Sequence, residues 1–382
     1  MELHREACMR IAYLLPHGWR FASWSLSDVM ERYHFSKHIA SAMAELGHEV
    51  TLIFLHESVR TRTVVQTQPF RIEIFPVTFT IPLFRFGGDF SLPLIREVRR
   101  LDVDVLHLHG CFYETLPWLV REANVPTLLQ WHGGRLTPLH SAAFRPAFRK
   151  SRRIIIPFAA VRSLFPRIAS STRKFAVVPL PVRPEFLTAS PKSQYGRGVP
   201  RLLYVGRIPW PSRNLGDRRL DLFLRILGRM GAGSFFLDVA GDGPGRSLCE
   251  KIAREEGIAD AVSFHGYLGL AEILALYKNS DLTVVPFCLQ DLTGTWVAQI
   301  QESLAVGTPA VAFSPNNTYS EHDIGWRISA DPVEGTNQLK NILSRPGLVE
   351  VKGRKGPSLV HSQCDEHKVS RQLEAVYQAT ET

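Results

Sequence analysis

The chain has 382 residues, beyond the size of a typical single domain, and its 45% apolar content supplies side chains for two cores. With 21% charged residues it is not composed like a disordered protein. A formal charge of +9 favours anionic partners, and nucleic acid, anionic membrane and phosphorylated small molecules are the candidates.

Residues 1–10 are polar and charged and hold no signal-peptide core; 1–8 read as a dispensable extension. The first strand is predicted at 10–15, followed by the loop Pro16-His17-Gly18-Trp19. A helix is expected over 34–46, with Phe35, Ile39, Ala42, Met43 and Leu46 on one face and Gly47 as its stop. Strand 50–55 then completes a βαβ unit with a parallel pair. Strand 103–108, a helix at 116–122 and strands at 126–130, 154–156 and 175–178 repeat the pattern. Short Val/Leu/Ile runs, apolar on both faces, suit strands covered by helices on both sides. The basic run Arg145, Arg149, Lys150, Arg152 and Arg153 reads as a solvated helix face leading into the strand at 154–156. The alternative is peripheral contact with an anionic membrane.

Ser, Pro, Gly and Lys dominate 190–200, which is therefore predicted to be a linker. Beyond it come strand 202–205, helix 220–227, strand 235–239, helix 247–256, strand 262–265, helix 271–279, strand 282–285, helix 297–305 and strand 310–313. A last helix at 367–377 has no strand after it. The expected fold class is α/β, with two Rossmann-like, doubly wound parallel-sheet domains at 1–190 and 191–366 and a closing helix in 367–382. Ligands of such sheets bind at the carboxyl ends of the strands, so a cleft between two such edges is expected.

Gly206-Arg207 follows a strand directly: glycine permits a tight turn, and arginine can grip a phosphate with its fork of donors. The turn Gly241-Asp242-Gly243-Pro244-Gly245 repeats the arrangement, but without the GxGxxG spacing of a dinucleotide site. Glu302 lies in the helix 297–305 and could accept two hydrogen bonds from a ribose diol. On spacing alone a solvated helix glutamate is the plainer reading. Gly294, Thr295 and Trp296 open the same helix, where free N–H groups could receive a diphosphate. His132 follows strand 126–130 and could donate to a hydroxyl or phosphate. His107 and His109 read as structural or as lining the cleft floor. The five cysteines, Cys8, Cys111, Cys249, Cys288 and Cys364, are scattered and lack CxxC spacing, so no zinc site or disulfide framework is expected, and a reducing cytoplasm is. No apolar run approaches the ~20 residues that span a bilayer.

Taken together, these segments resemble retaining glycosyltransferase family 4, the group 1 glycosyltransferases of GT-B fold, over nearly the whole chain. The resemblance is carried by the Gly18 loop, Leu46-Gly47-His48-Glu49-Val50, Asp104-Val105-Leu106-His107-Leu108-His109 and Trp131-His132-Gly133. In the second half it is carried by Leu203-Tyr204-Val205-Gly206-Arg207-Ile208, Val239-Ala240-Gly241-Asp242-Gly243-Pro244, Phe264-His265-Gly266-Tyr267, Tyr277-Lys278-Asn279-Ser280-Asp281 and Glu302-Ser303-Leu304-Ala305-Val306-Gly307-Thr308-Pro309. It implies an acceptor-side first domain and a second domain that binds a UDP- or GDP-linked sugar as co-substrate, with no other cofactor and no metal. Arg207 would neutralise the diphosphate, Glu302 would hold the ribose, the Gly18 loop would approach the diphosphate, and His132 would contact the sugar or its leaving phosphate. Transfer would retain the anomeric configuration, with fixed donors stabilising charge on the departing diphosphate.

Two departures from the family pattern stand out. Its usual lysine after the Gly-Arg pair is best matched by Arg218, which keeps the charge with another geometry. Its first glutamate, eight positions before Glu302, is replaced by Gly294, with Asp291 as a candidate substitute. That change bears on donor choice and on catalysis, and it opens an alternative: a catalytically silent GT-B protein that binds a nucleotide sugar or a partner transferase. The acceptor, a sugar, a lipid-linked molecule or a small molecule, stays open. Phosphorylase-like chemistry in the same fold ranks lower, and nucleic acid is not an expected partner, since no recognition module is present.

Overall fold

The computed structural model describes residues 8–19, 24–31, 34–81, 88–133, 138–165, 172–196, 198–209, 218–286, 298–313 and 324–381. It divides into two compact units, Met1–Pro181 with Glu366–Thr382, and Val182–Asp365.

The first unit is built on β1 (Arg10–Leu15), β2 (Glu49–His56), β3 (Thr63–Gln66) and β4 (Arg71–Pro76), a two-stranded ribbon of β5 (Phe79–Thr80) and β6 (Asp89–Phe90), then β7 (Val105–His109), β8 (Thr127–Gln130), β9 (Arg153–Ile156) and β10 (Phe175–Val177). Eight of them form one sheet in the order β10-β9-β8-β7-β1-β2-β4-β3, parallel throughout except for the edge pair β3–β4. β1 is central, and Ile11, Tyr13 and Leu15 pack with Leu52, Phe54, Val105 and Leu128 into the core. Burying each such side chain contributes about 1.5–3 kcal/mol. The helix predicted at 34–46 is Phe35–Glu45, capped by His34, whose ring accepts from the Ser36 amide. β3 and β4 were not expected: β3 is an exposed outer edge strand that includes Val64, and although β4 is buried from Ile72 to Pro76, Arg71 and Glu73 break up its apolar run.

The second unit carries β11 (Arg201–Val205), β12 (Phe236–Ala240), β13 (Val262–Gly266), β14 (Leu282–Val285), β15 (Ala310–Ala312) and β16 (Gly325–Arg327), all parallel, in the order β13-β12-β11-β14-β15-β16. Phe223, Leu224 and Leu227 of the helix Leu220–Met230 pack with Phe235, Leu237 and Val239 in its core.

Three features depart from the expected domain plan. The stretch 190–200 is no free linker: Lys192 is buried and donates to the Ser280 carbonyl at 2.5 Å and to Asp281 at 3.3 Å. Tyr195 donates to the Gly307 carbonyl at 2.8 Å, so this strap belongs to the second unit, which begins at Val182 rather than after residue 190. Polar composition suggested a linker, but a buried ammonium with a carboxylate partner holds it down.

The helix Pro346–Cys364 was also unforeseen, because it contains Gly353, Gly356 and Pro357. A Cβ on Gly353 would lie 2.4 Å from the Gly307 carbonyl oxygen, and one on Gly356 2.5 Å from that of Leu304. The glycines weaken the helix intrinsically but let it pack directly on backbone.

The closing helix is Glu366–Glu381, and it belongs to the first unit rather than standing apart. His48 joins it to the sheet: the Met9 amide donates to Nδ1 at 3.2 Å, so Nε2–H donates to Glu374 at 2.9 Å. In the basic run, Lys150 donates to the carbonyls of Arg121 and Ala123 at 2.7 and 2.9 Å, while Arg153 donates to that of Arg173. These cations satisfy carbonyls at helix and loop ends. Among the described residues no cysteine is in a disulfide, and no helix is long and apolar enough to cross a membrane.

Candidate functional site

In the second sheet the strand order reverses between β11 and β14, where departing loops part and leave room for a ligand. Gly206 leaves β11 there with φ 139°, a value that glycine adopts freely and other residues rarely do. A Cβ on it would lie 2.8 Å from Arg218 Nη1 and 3.1 Å from Gln299 Nε2, so the missing side chain is what lets the Arg218 guanidinium lie against the turn. The carbonyl of Arg207 accepts from the Tyr204 hydroxyl at 2.7 Å and from Arg218 at 3.4 Å. Burial pushes the Tyr204 hydroxyl up to about 12, with Arg218 and Arg207 opposing it. Gly241, with φ 141°, packs on the same turn: a Cβ there would sit 2.0 Å from the Gly206 carbonyl oxygen. The Gly206-Arg207 pair and Arg218, picked out separately in the sequence, thus meet in one turn at the sheet edge, with the Arg218 guanidinium against Gly206 and the Arg207 carbonyl.

Glu302 is buried, not a solvated helix glutamate. The helix Ala298–Ala305 is buried along its whole second half, and both carboxylate oxygens have partners: Arg183 donates to Oε1 at 3.0 Å and Tyr277 to Oε2 at 3.2 Å. Burial raises the Glu302 carboxyl above its ordinary range, and Arg183 and Tyr277 oppose that rise. The residues after it are held by hydroxyls. Ser303 bonds Thr283 at 2.5 Å and donates to the Thr308 carbonyl, and Thr308 donates to the Tyr277 carbonyl. Arg183 gave no signal in the sequence, since nothing local marks its target 119 positions away. Gly294, Thr295, Trp296 and Asp291 lie outside the described residues.

The first sheet reverses between β1 and β7. Gly18 follows β1, and its amide donates to Asp89 at 2.9 Å. A Cβ on Gly18 would lie 2.8 Å from Glu57 and 2.9 Å from Asp89. Two carboxylates therefore flank the loop that was expected to meet a diphosphate, and they suit hydroxyl or ammonium donors better than an anion. Neither Glu57 nor Asp89 belongs to a recognisable motif.

His132 follows β8 and is partly exposed. Its Nε2 lies 2.9 Å from Nδ1 of His109, and the Phe35 ring covers it at 4.4 Å. His109 stacks on His107 at 4.4 Å, and His107 Nδ1 bonds the Tyr377 hydroxyl at 2.7 Å. That hydroxyl also meets the Tyr13 hydroxyl at 3.0 Å. His107 and His109 are thus structural as well as neighbours of the candidate residue. Burial lowers both His132 and His107 to about 3, which leaves each imidazole neutral near pH 7. Among the described residues no His/Cys/Asp/Glu group could hold a metal ion.

Two family profiles match the chain: Glycosyltransferase Family 4 over residues 35–186, and Glycosyl transferases group 1 over 199–345. The chain belongs to the family 4, group 1 class of glycosyltransferases. It is 29% identical over 242 residues to the 2-deoxystreptamine glucosyltransferase of Streptomyces kanamyceticus, a match covering 56% of this chain and 60% of that protein. It is 26% identical over 245 residues to the 2-deoxystreptamine N-acetyl-D-glucosaminyltransferase of Streptomyces fradiae, covering 58% of this chain and 56% of that one. The match thus spans little more than half the length of these curated relatives.

Among solved structures, this family member is similar to a sucrose-phosphate synthase from Thermosynechococcus elongatus, with TM-score 0.71 at 16% identity over 97% of this chain and 98% of that one. It is also similar to Anabaena HepE in complex with UDP-glucose, with TM-score 0.66 at 14% identity over 97% of this chain and 100% of that one. The fold is GT-B, with two parallel-sheet α/β domains.

Proposed function

We propose that this protein transfers a sugar from a nucleotide-sugar donor to an acceptor, with retention of configuration and without a metal ion. The observation that carries this reading is the turn at Gly206, whose missing side chain sets Arg218 beside Arg207 at the carboxyl edge of β11. The Arg218 guanidinium held at that edge suits the charge that grows on a departing diphosphate, and it needs little reorganisation as the bond breaks. HepE, solved with UDP-glucose, supports a nucleotide-sugar donor. In this reading Glu302 holds the ribose, Gly294, Thr295 and Trp296 receive the diphosphate, and neutral His132 donates to the sugar or its leaving phosphate. The reaction runs in the cytoplasm.

For the acceptor we propose an amine-bearing cyclic polyol. The names of both curated relatives, which act on 2-deoxystreptamine, support this class. Glu57, beside Gly18, supplies a carboxylate for an ammonium or hydroxyl group, while buried Asp89, which accepts from the Gly18 amide and the Thr80 hydroxyl, holds the loop in place.

Calorimetric titration with UDP-, GDP- and ADP-sugars, first without metal and then with magnesium, tests the donor. One sugar nucleotide should bind saturably without magnesium, and 2-deoxystreptamine should then release free nucleoside diphosphate. Binding that appears only with magnesium would remove the metal-independent mechanism. Gly294, in place of a glutamate, favours a second reading: a catalytically silent GT-B protein. Donor binding without turnover on any amine-bearing or neutral polyol would select it.

A further inference from the structure

The histidines of the first unit raise a question that distances alone leave open: which nitrogen of His132 carries the proton. Two arrangements satisfy the 2.9 Å contact between His109 Nδ1 and His132 Nε2. In one, His109 donates from Nδ1–H, and His132 carries its proton on Nδ1. In the other, His132 donates from Nε2–H, and His109 must carry its proton on Nε2.

The burial of His109 separates them. His109 is 2% exposed, and its Nε2 has no hydrogen-bond partner among the described residues. The second arrangement would bury an unpaired N–H, whereas the first buries only an unused lone pair. Orphaned buried N–H groups are the rarer and costlier defect in native proteins. The surroundings supply no rescue: the edge of Tyr13, the face of His107 and the ring of Phe35 enclose His109. Protonating both rings is opposed as well, because burial and the neighbouring imidazoles hold both groups well below their ordinary range.

We propose that His109 is a positioning residue: its Nδ1–H donates to His132 Nε2 and holds His132 as the neutral Nδ1–H tautomer. His132 has no other hydrogen-bond partner among the described residues and is partly exposed, so its Nδ1–H is the group presented to a ligand. Its role toward a sugar hydroxyl or phosphate oxygen is then that of a donor, never a base. That consequence rests on the donor-contact reading of His132; the tautomer itself does not.

The test is nitrogen-15 NMR of the histidine rings in the ligand-free protein, with His132 assigned by the loss of its signals in His132→Gln. The expected spectrum shows a protonated Nδ1 and an unprotonated Nε2 on His132 at pH 7. Replacing His109 by Phe should release the ring to a tautomer mixture and lower kcat at least about tenfold, with the donor KM nearly unchanged. His109→Asn, whose amide N–H can replace Nδ1–H, should restore the single tautomer and most of kcat. A proton on Nε2 of His132 in the native protein would overturn the proposal, and that spectrum needs no variant to fold. So would an unchanged His132 tautomer in folded His109→Phe. Absence of turnover with a correct tautomer would instead count against the proposed function.

Discussion

Inside the second unit, the guanidinium of Arg183 donates to Glu302 at 3.0 Å, with about a tenth of each side chain exposed. A pair this shielded is held less by net attraction than by the cost of leaving either charge alone. Arg183→Met should therefore destabilise the protein by about 3–5 kcal/mol, whereas Arg183→Met with Glu302→Leu should recover most of that loss. The deficit of the single variant should shrink on acidification. Burial already raises the Glu302 carboxyl, and losing Arg183 raises it further, so the protonated form is the one the site accepts. Denaturant titrations at pH 7 and pH 5 would measure both effects, and a single variant as stable as the double one would refute the pairing. The same burial makes Glu302→Gln, not Glu302→Ala, the fair probe of nucleotide binding, since it keeps the shape and the Tyr277 contact.

Gly206→Ala should impair the turn that holds Arg218. At φ 139° an alanine is strained by about 1–3 kcal/mol, and its methyl carbon would come within 2.8 Å of Arg218. Arg218 must then move, so donor turnover should fall by an order of magnitude or more while the protein remains folded. Kinetics beside a thermal melt would show it. Full activity with only a lowered Tm would mean that Arg218 has no part in the reaction.

Tyr377→Phe should cost about 1–3 kcal/mol, because His107 Nδ1 and the Tyr13 hydroxyl both lose a buried partner. The chemical denaturation midpoint is the measurement. An unchanged midpoint would show that the hydroxyl pair contributes nothing to docking of the helix Glu366–Glu381.

Acid should destabilise the first unit earlier than carboxylate protonation alone would. His107 titrates at about 3 in the folded chain and near its ordinary 6.5 once unfolded. Between those values the unfolded chain binds the extra proton, so stability falls as pH drops through this window. The loss approaches about 1.4 kcal/mol per pH unit from this group. His107→Gln should flatten that part of the stability profile, whatever its effect at pH 8. A parallel profile in the variant would exclude His107 as the source.

Local sequence was enough to place most of the inner strands, because Ile154, Ile155 and Ile156 or Val105, Leu106 and Leu108 are apolar on both faces whatever surrounds them. It also marked Gly206, Arg207, Arg218, Glu302 and His132, since each stands at a strand end or in a run whose order resembles the family. What it left open depends on neighbours distant in the chain. Gly353 and Gly356 read as helix breakers until the backbone they touch at Gly307 and Leu304 is seen. Lys192 reads as a linker lysine until Asp281 is beside it, and Glu302 as a surface carboxylate until Arg183 and Tyr277 close on it. The side of the chain to which Glu366–Glu381 belongs was equally hidden, because His48, His107 and Tyr13 choose it from more than two hundred positions away. Period and turn chemistry are properties of short segments and can be read in order. Burial of a charge, the approach of two backbones and the tautomer of a histidine are set by whatever folds against them.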